Sequence, residues 1–172
     1  MKAHFVRVAD LGARCGECRL GAQSCALVGA VRTLLSSNLM IEPEIRHPTG
    51  QAIDFIAKRL KLRNEPGMQD WEFEVSEPTD LPRYLALYQE VLREDDVRFV
   101  LADMIIQAFE DSNFQLSANP DWSAFLSSLS ERVDLHGWQI WYWSCWDSEM
   151  EEAWRVSSAM RELCEAHFVE QS

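Results

Sequence analysis

Three cysteines near the start of the chain have the spacing of metal ligands. Two residues separate Cys15 from Cys18, and Cys25 follows after six more. Thiolates at this spacing can hold one zinc ion, and a tetrahedral site would take its fourth ligand from His4 or His47. Structural zinc sites usually present two cysteine pairs, and this chain lacks a second one. We therefore expect free thiols and no resident cofactor, with a small metal- or thiol-dependent regulator as the alternative function.

A second candidate for chemistry is His136, which stands two residues after Asp134. An imidazole beside a carboxylate can act as a general base. The chain has four histidines, and none of them lies in a metal-binding or hydrolytic motif. We therefore expect no catalytic residue and a protein that is not an enzyme. The ordinary alternative for His136 is a turn or helix-end position in which a backbone carbonyl satisfies the ring.

An acidic group and an aromatic run follow this histidine in the sequence. The acidic group consists of Asp147, Glu149, Glu151 and Glu152. Such carboxylates can bind a divalent cation or complement the N-terminus of a helix, and we expect the second role. The aromatic rings of residues 138–146 could stack on bases or sugars, but a strongly acidic domain repels phosphate. We expect those rings to pack in the core.

The charge of the chain is divided unevenly. Residues 1–75 contain ten Lys and Arg against nine Asp and Glu, whereas residues 76–172 contain six against nineteen, so the net charge of −12 lies in the second part. Such a surface disfavours nucleic acid and anionic membranes and favours a basic protein partner. The partner-binding candidates are exposed acidic residues of that part. They are Glu90, Glu94, Asp95 and Asp103.

Length and composition restrict the class of protein. A chain of 172 residues with 47% hydrophobic residues can bury a core without help from metal or disulfides. No apolar run approaches the roughly 20 residues of a membrane span, and the first ten residues do not have the pattern of a secretory signal. The five cysteines then indicate free thiols in a reducing compartment. We expect a cytoplasmic protein.

The apolar spacing predicts a mainly α fold, a helical bundle with a small irregular N-terminal segment that holds a short strand or hairpin. Residues 1–75 are expected to form an N-terminal segment with two helices and the cysteine-containing loop, and residues 76–172 an acidic helical domain, with one compact domain as the alternative. The pattern places Phe55 and Leu92 on the inner faces of their helices. The expected helices cover residues 24–38, 49–62, 79–92, 95–109, 120–133 and 151–167.

Two short segments are ambiguous in the sequence. Residues 71–75 alternate apolar and acidic side chains, which predicts a single strand or an extended linker. His136 and Gly137 are expected to interrupt the helical pattern. Residues 138–146 are apolar nearly all round, and their aromatic content favours a strand by propensity alone. We prefer a helix there, because a lone strand among helices would have no partner.

The order of features between residues 81 and 163 resembles that of acidic bacterial immunity proteins, which are found beside polymorphic and contact-dependent toxins. The resemblance is carried by residues 96–111, the pair Leu135-His136, and residues 140–146 and 153–161. It implies a protein that binds a toxin tightly and blocks it, often a basic nuclease, and it implies no catalytic residue. The resulting hypothesis is a non-enzymatic bacterial protein-binding module with an acidic face.

Overall fold

The computed structural model describes residues 40–169, and this part of the chain is mainly helical, as predicted. Its β structure is a single bridge between Met40 and Val169. The seven α-helices are α1 (Gly50–Leu60), α2 (Trp71–Glu74), α3 (Leu81–Glu90), α4 (Asp95–Glu110), α5 (Pro120–Glu131), α6 (Val133–Ser144) and α7 (Ser157–Phe168). Short 3₁₀ turns precede α3 and α5, at Pro78–Asp80 and Leu116–Ala118. The helix expected over residues 24–38 lies outside the described residues.

Two predicted helix starts are confirmed by their capping hydrogen bonds. The Thr49 hydroxyl accepts a hydrogen bond from the Ala52 amide at 3.3 Å, which satisfies one of the free N–H groups at the start of α1. At the start of α5, the Asn119 side chain accepts from the Trp122 amide at 3.0 Å. Pro120 occupies the first turn, where the missing N–H is harmless.

The central element is α4, which is buried on nearly all of its faces. Helices α1, α2, α3 and α6 pack around it, and α5 and α7 pack in turn against α6. Its apolar side chains occur in every turn, so no solvated stripe remains along most of its length. The elements on both sides of residue 76 therefore share the core that α4 organises.

Helix α6 runs without a break through His136 and Gly137, so the predicted interruption is wrong. A Cβ atom on Gly137 would lie 3.2 Å from the Phe168 ring and 3.4 Å from the Pro43 side chain. The glycine therefore marks a close approach to the end of α7 and not the end of a helix. The preference for a helix over residues 138–146 is confirmed as far as Ser144.

The prediction of a strand or linker at residues 71–75 is also wrong, because this segment forms the short helix α2. Trp71, Glu72 and Val75 are buried, which is the i, i+1, i+4 pattern of a helix. The Trp71 indole N–H donates to the Arg63 carbonyl at 2.8 Å. Phe73 makes an edge contact with Trp143 at 5.8 Å. Tertiary packing thus outweighs the local alternation.

The last helix begins at Ser157, six residues later than predicted. Residues 145–156 form turns between α6 and α7. The Arg155 guanidinium holds the end of these turns, because it donates to the carbonyl of Glu110, the last residue of α4, and to those of Ser112 and Phe114 just beyond it. The segment is thereby attached to the C-terminal end of α4 before α7 starts.

Candidate functional site

The predicted metal ligands are not brought together in the described residues. Cys15, Cys18, Cys25 and His4 all precede residue 40, so they lie outside the part that the structure describes. His47 is exposed in the loop before α1. Between residues 40 and 169, no group of three His, Cys, Asp or Glu side chains is arranged to hold a metal ion. The zinc alternative stays a prediction.

The pairing of His136 with Asp134 does not form. Asp134 is exposed and accepts from the Arg132 guanidinium at 3.0 and 3.1 Å, which holds the pKa of its carboxyl below the usual value. His136 is fully buried and faces the interior. Its Nδ1 lies 2.7 Å from Gln139 Oε1, and its Nε2 lies 2.9 Å from the Tyr88 hydroxyl. The expected backbone carbonyl partner is therefore also wrong, because two side chains satisfy the ring.

Only one assignment of donors and acceptors is consistent with the hydrogen bonds around His136. Gln139 Oε1 can only accept, so His136 Nδ1 carries the proton, and the Tyr88 hydroxyl donates to Nε2. The Gln139 amide donates in turn to the Phe99 carbonyl at 2.6 Å. Burial lowers the pKa of His136 to about 4, so the ring is neutral at physiological pH. Both ring nitrogens are engaged inside the fold, which is typical of a structural histidine.

Asp103 is not exposed, so it cannot belong to an exposed acidic face. Only 6% of the residue is accessible, and the Trp143 indole N–H donates to its carboxylate at 3.1 Å. Burial raises the pKa of Asp103 to about 7, while hydrogen bonds from Gln139 and Trp143 act in the opposite direction. The charge pattern placed Asp103 on an exposed acidic face. Asp103 is buried instead, because it lies inside the central helix α4.

The other three predicted acidic residues lie together where α3 turns into α4. Glu90 accepts two hydrogen bonds from Arg59, at 2.7 and 3.0 Å. Asp95 accepts from Arg132 at 3.2 Å. Glu94 is exposed and takes part in no ion pair within residues 40–169. The structure thus brings Glu90, Glu94 and Asp95 to one end of α4, and of these three only Glu94 has no ion pair with another residue of the described range.

A cleft of about 670 Å³ opens beside these residues, between α1 and the turn that joins α3 to α4. We call it the junction groove. Its apolar lining consists of Ala52, Phe55, Val91, Leu92 and Val97, and its polar lining of Thr49, Gln51, Glu90, Arg93, Glu94 and Asp96. Phe55 and Leu92 are 44% and 55% exposed, contrary to the prediction that they face inward. The groove therefore combines accessible apolar surface with a mainly acidic rim.

A second acidic surface lies at the other end of α4, on residues 145–156. Asp147, Glu149, Glu151 and Glu152 are exposed there, and none of them forms an ion pair within the described part of the chain. We call these four residues the acidic segment. No acidic residue lies in the first turn of α7, so the predicted capping role is wrong. The helix starts too far along the chain for these carboxylates to reach its free N–H groups.

Arg161 holds the acidic segment from the side of α7. Its guanidinium donates to the carbonyls of Ser144, Cys145 and Ser148 at 2.6–2.8 Å, and it lies over the Trp146 ring at 5.1 Å from the centroid. The donors of this arginine are thus used on backbone oxygens. No ion pair between residues 40 and 169 involves the carboxylates of the segment.

The aromatic run contributes to the core as expected. Trp143 is 2% exposed and lies 4.7 Å, between ring centroids, from Trp154. Trp141 and Trp146 are partly buried against the same core. Because Trp143 is enclosed, its ring is not available to stack on a nucleobase.

Comparison of the chain with protein-family models, curated proteins and solved structures gives no match. Among the helices of residues 40–169, none is both long enough and apolar enough to cross a membrane.

The exposed apolar pair of the junction groove was missed by the sequence pattern. Leu92 continues the inner stripe of α3 in register, but α3 ends at Glu90. The acidic run at residues 94–96 is a start signal for the next helix. The two helices are therefore joined by a short turn, residues 91–94. That signal could have placed Leu92 at the surface. For Phe55 the helical spacing itself was the signal, because Phe55 lies about 200° round the helix from Ile53 and so falls off the stripe that contains Ile53, Ile56 and Leu60.

Proposed function

We propose that this chain is a non-enzymatic protein-binding module whose acidic surface receives a basic protein partner. Residues 40–169 contain 25 Asp and Glu against 11 Lys and Arg. Opposite charge raises the rate of encounter with a basic protein, whereas like charge repels nucleic acid and anionic membranes. A protein partner therefore suits this surface better than either of those.

The observation that carries the proposal is a set of carboxylates that no Lys or Arg of residues 40–169 pairs with. The ion pairs within this range engage arginines on α1 and α3, in the turns and at the start of α6, and none of them reaches the acidic segment. Arg155 and Arg161 lie next to the segment but bind backbone carbonyls. Within residues 40–169 no cation neutralises Asp147, Glu149, Glu151 and Glu152, which supports attraction of a basic partner by these carboxylates.

The biological role we propose is that of an immunity protein in the bacterial cytoplasm, which blocks a basic toxin by binding it. The resemblance of residues 81–163 to such proteins supports this role. The chemistry of the core is consistent with it, since both ring nitrogens of the buried His136 are hydrogen-bonded and the ring is neutral. Binding alone would be enough for the function, without any catalytic residue.

The test is to identify the partner and then reconstitute the pair. The chain is used as bait in its source cell, the captured protein is identified, and both are produced separately and mixed. We expect a basic protein that forms a stoichiometric complex and loses its toxicity when the chain is co-expressed. Capture of a strongly acidic partner, or chemical conversion of the partner by the chain, would contradict the proposal.

A further inference from the structure

Two exposed apolar side chains line the junction groove. Phe55 comes from α1 and Leu92 from the α3–α4 turn, and about half of each residue is accessible to solvent. The floor between them is formed by Ala52, Val91 and Val97, each less than 10% exposed. Scattered exposed apolar residues are ordinary, but two that line one cleft are typical of an interaction site.

The rim of the groove is polar and mainly acidic. It carries Glu90, Glu94 and Asp96 against one lysine or arginine, Arg93. Glu90 and Asp96 each accept from an arginine outside the groove, whereas Glu94 has no ion pair within residues 40–169. An apolar centre inside a polar rim is the usual anatomy of a protein–protein interface.

We propose that the junction groove binds a segment of the protein partner that inserts one large apolar side chain between Phe55 and Leu92 and places a lysine or arginine beside Glu94. The inference rests on the proposed protein-binding function and names the surface and the chemistry of the bound segment. A second copy of this chain is a poor occupant, because two molecules of net charge −12 repel each other. An acidic peptide is disfavoured by Glu94, whose carboxylate has no ion pair within residues 40–169.

The two kinds of contact should act on different steps of binding. An apolar side chain that fills a groove is released slowly, so Phe55 and Leu92 should control mainly the dissociation rate. Exposed charges act at longer range, so Glu94 should control mainly the association rate. This division allows the apolar contact to be tested separately from the charge of the surface.

The experiment titrates the full chain, labelled with ¹⁵N, with two synthetic peptides and follows its amide resonances by NMR. The first peptide is Gly-Ser-Lys-Leu-Lys-Ser-Gly, capped at both ends, and the second has serine in place of leucine. The peptides carry equal charge, so they differ only in the apolar anchor. We expect saturable shifts at Ala52, Val91 and Val97 with the leucine peptide, and binding weaker by roughly fivefold or more with the serine peptide.

Matched variants separate the groove from other exposed apolar surface. The double variant Phe55→Ser with Leu92→Ser should weaken binding of the leucine peptide by roughly tenfold. The control is Phe114→Ser with Met150→Ser, whose parent residues are exposed to a similar degree (44% and 43%) but do not line the groove. The control should bind the peptide as the wild type does. All four side chains are exposed, so both variants should keep the helical circular dichroism spectrum.

The possible outcomes distinguish this inference from the function on which it rests. Amide shifts confined to the acidic segment, or equal affinity for the two peptides, would overturn the proposal for the groove. Either result would leave the proposed acidic binding surface unaffected. Shifts at the groove that depend on protein concentration without any peptide would show that a second copy occupies it, and would also overturn the inference. If neither peptide binds, the inference is also overturned. That result would count against the proposed acidic binding surface too.

Discussion

The two ends of α4 both carry exposed carboxylates, but the arginines beside them serve different purposes. At the N-terminal end, Arg59 and Arg132 bind the carboxylates of Glu90 and Asp95. At the C-terminal end, Arg155 and Arg161 bind backbone carbonyls, and no ion pair within residues 40–169 involves the acidic segment. At the first end most of the carboxylates are paired with arginines, and apolar side chains are exposed. The second end is strongly negative.

The comparison shows that the charge available at a surface depends on where the neighbouring arginines direct their donors. An arginine that satisfies carbonyl groups fixes a turn and leaves nearby carboxylates free, whereas one that binds a carboxylate cancels its charge locally. The two ends are separated by the 16 residues of α4, which span roughly 24 Å. We therefore assign contact with the partner to the junction groove and long-range attraction to the acidic segment.

The largest effect is expected for the carboxylate that lies between the two ends, Asp103. The variant Asp103→Asn should be more stable than the wild type at pH 8, by up to about 4 kcal/mol, because the folded state no longer holds a buried carboxylate whose pKa is raised to about 7. The asparagine oxygen can still accept from Trp143. Urea denaturation at pH 8 measures the difference. As a control, Glu94→Gln at the exposed end should change stability by less than about 0.5 kcal/mol.

The same variant should change how stability depends on pH. In the wild type, the raised pKa of Asp103 lowers stability as pH rises from about 4 to about 7. The lowered pKa of His136 acts in the opposite direction, since stability is lost as pH falls from 6.5 towards about 4. Between about pH 4 and 6.5 the two changes in stability therefore offset each other. In Asp103→Asn only the histidine trend remains, so stability should rise between pH 4 and 6.5, and a profile parallel to that of the wild type would contradict the assignment.

The second largest effect compares the arginines of the two ends. Arg161→Ala should lower the free energy of unfolding by about 2–3 kcal/mol, because three carbonyls lose a charged hydrogen-bond donor. Arg59→Ala removes an exposed ion pair and should cost less than about 1 kcal/mol. Chemical denaturation of both variants measures the difference. Equal losses would mean that the two arginines play the same structural role.

A smaller, kinetic effect separates contact from attraction. The Debye length is about 30 Å at 0.01 M salt and about 8 Å at 0.15 M. Glu149→Lys with Glu151→Lys should therefore slow association with the captured partner by severalfold at the lower salt and by less than about twofold at the higher. Glu94→Lys, beside the groove, should slow association at both. If Glu149→Lys with Glu151→Lys slows association more than Glu94→Lys does at 0.15 M salt, the partner contacts the acidic segment. The roles assigned to the two ends of α4 would then be exchanged.

The smallest effect is expected on removal of metal. The core of the described residues needs no metal to be buried, so a chelator should leave the helical circular dichroism signal unchanged. Elemental analysis should find no stoichiometric zinc in the purified chain. One zinc per chain, lost together with helicity on chelation, would favour a site at Cys15, Cys18 and Cys25.

Long periodic segments with start signals could be predicted from the sequence. Helices α4 and α5 occur as expected because their apolar spacing and N-terminal residues agree. The errors lie where tertiary packing outweighs a local signal. Gly137 permits the close approach of Phe168 inside a helix, and Trp71 folds α2 back onto the core in a segment that alternates like a strand.

The candidate site could be predicted only in part, for a related reason. The charge pattern named Glu90, Glu94 and Asp95 as exposed partner-binding candidates, and all three are exposed where α3 turns into α4. Their role in partner binding stays a prediction. The charge pattern misplaced Asp103, because a carboxylate count does not show which face of a helix is enclosed on all sides. Nor could the sequence show that Phe55 and Leu92 meet in one cleft, which depends on the packing of α1 against the start of α4.

The most direct measurement is the association rate of the wild-type chain with its captured partner over a range of salt. Between 0.01 and 0.5 M salt we expect the association rate constant to fall by about tenfold or more, while the dissociation rate constant changes by less than about threefold. Such a result would mean that exposed carboxylates attract a basic partner and that apolar contact retains it. An association rate that does not respond to salt would contradict this explanation.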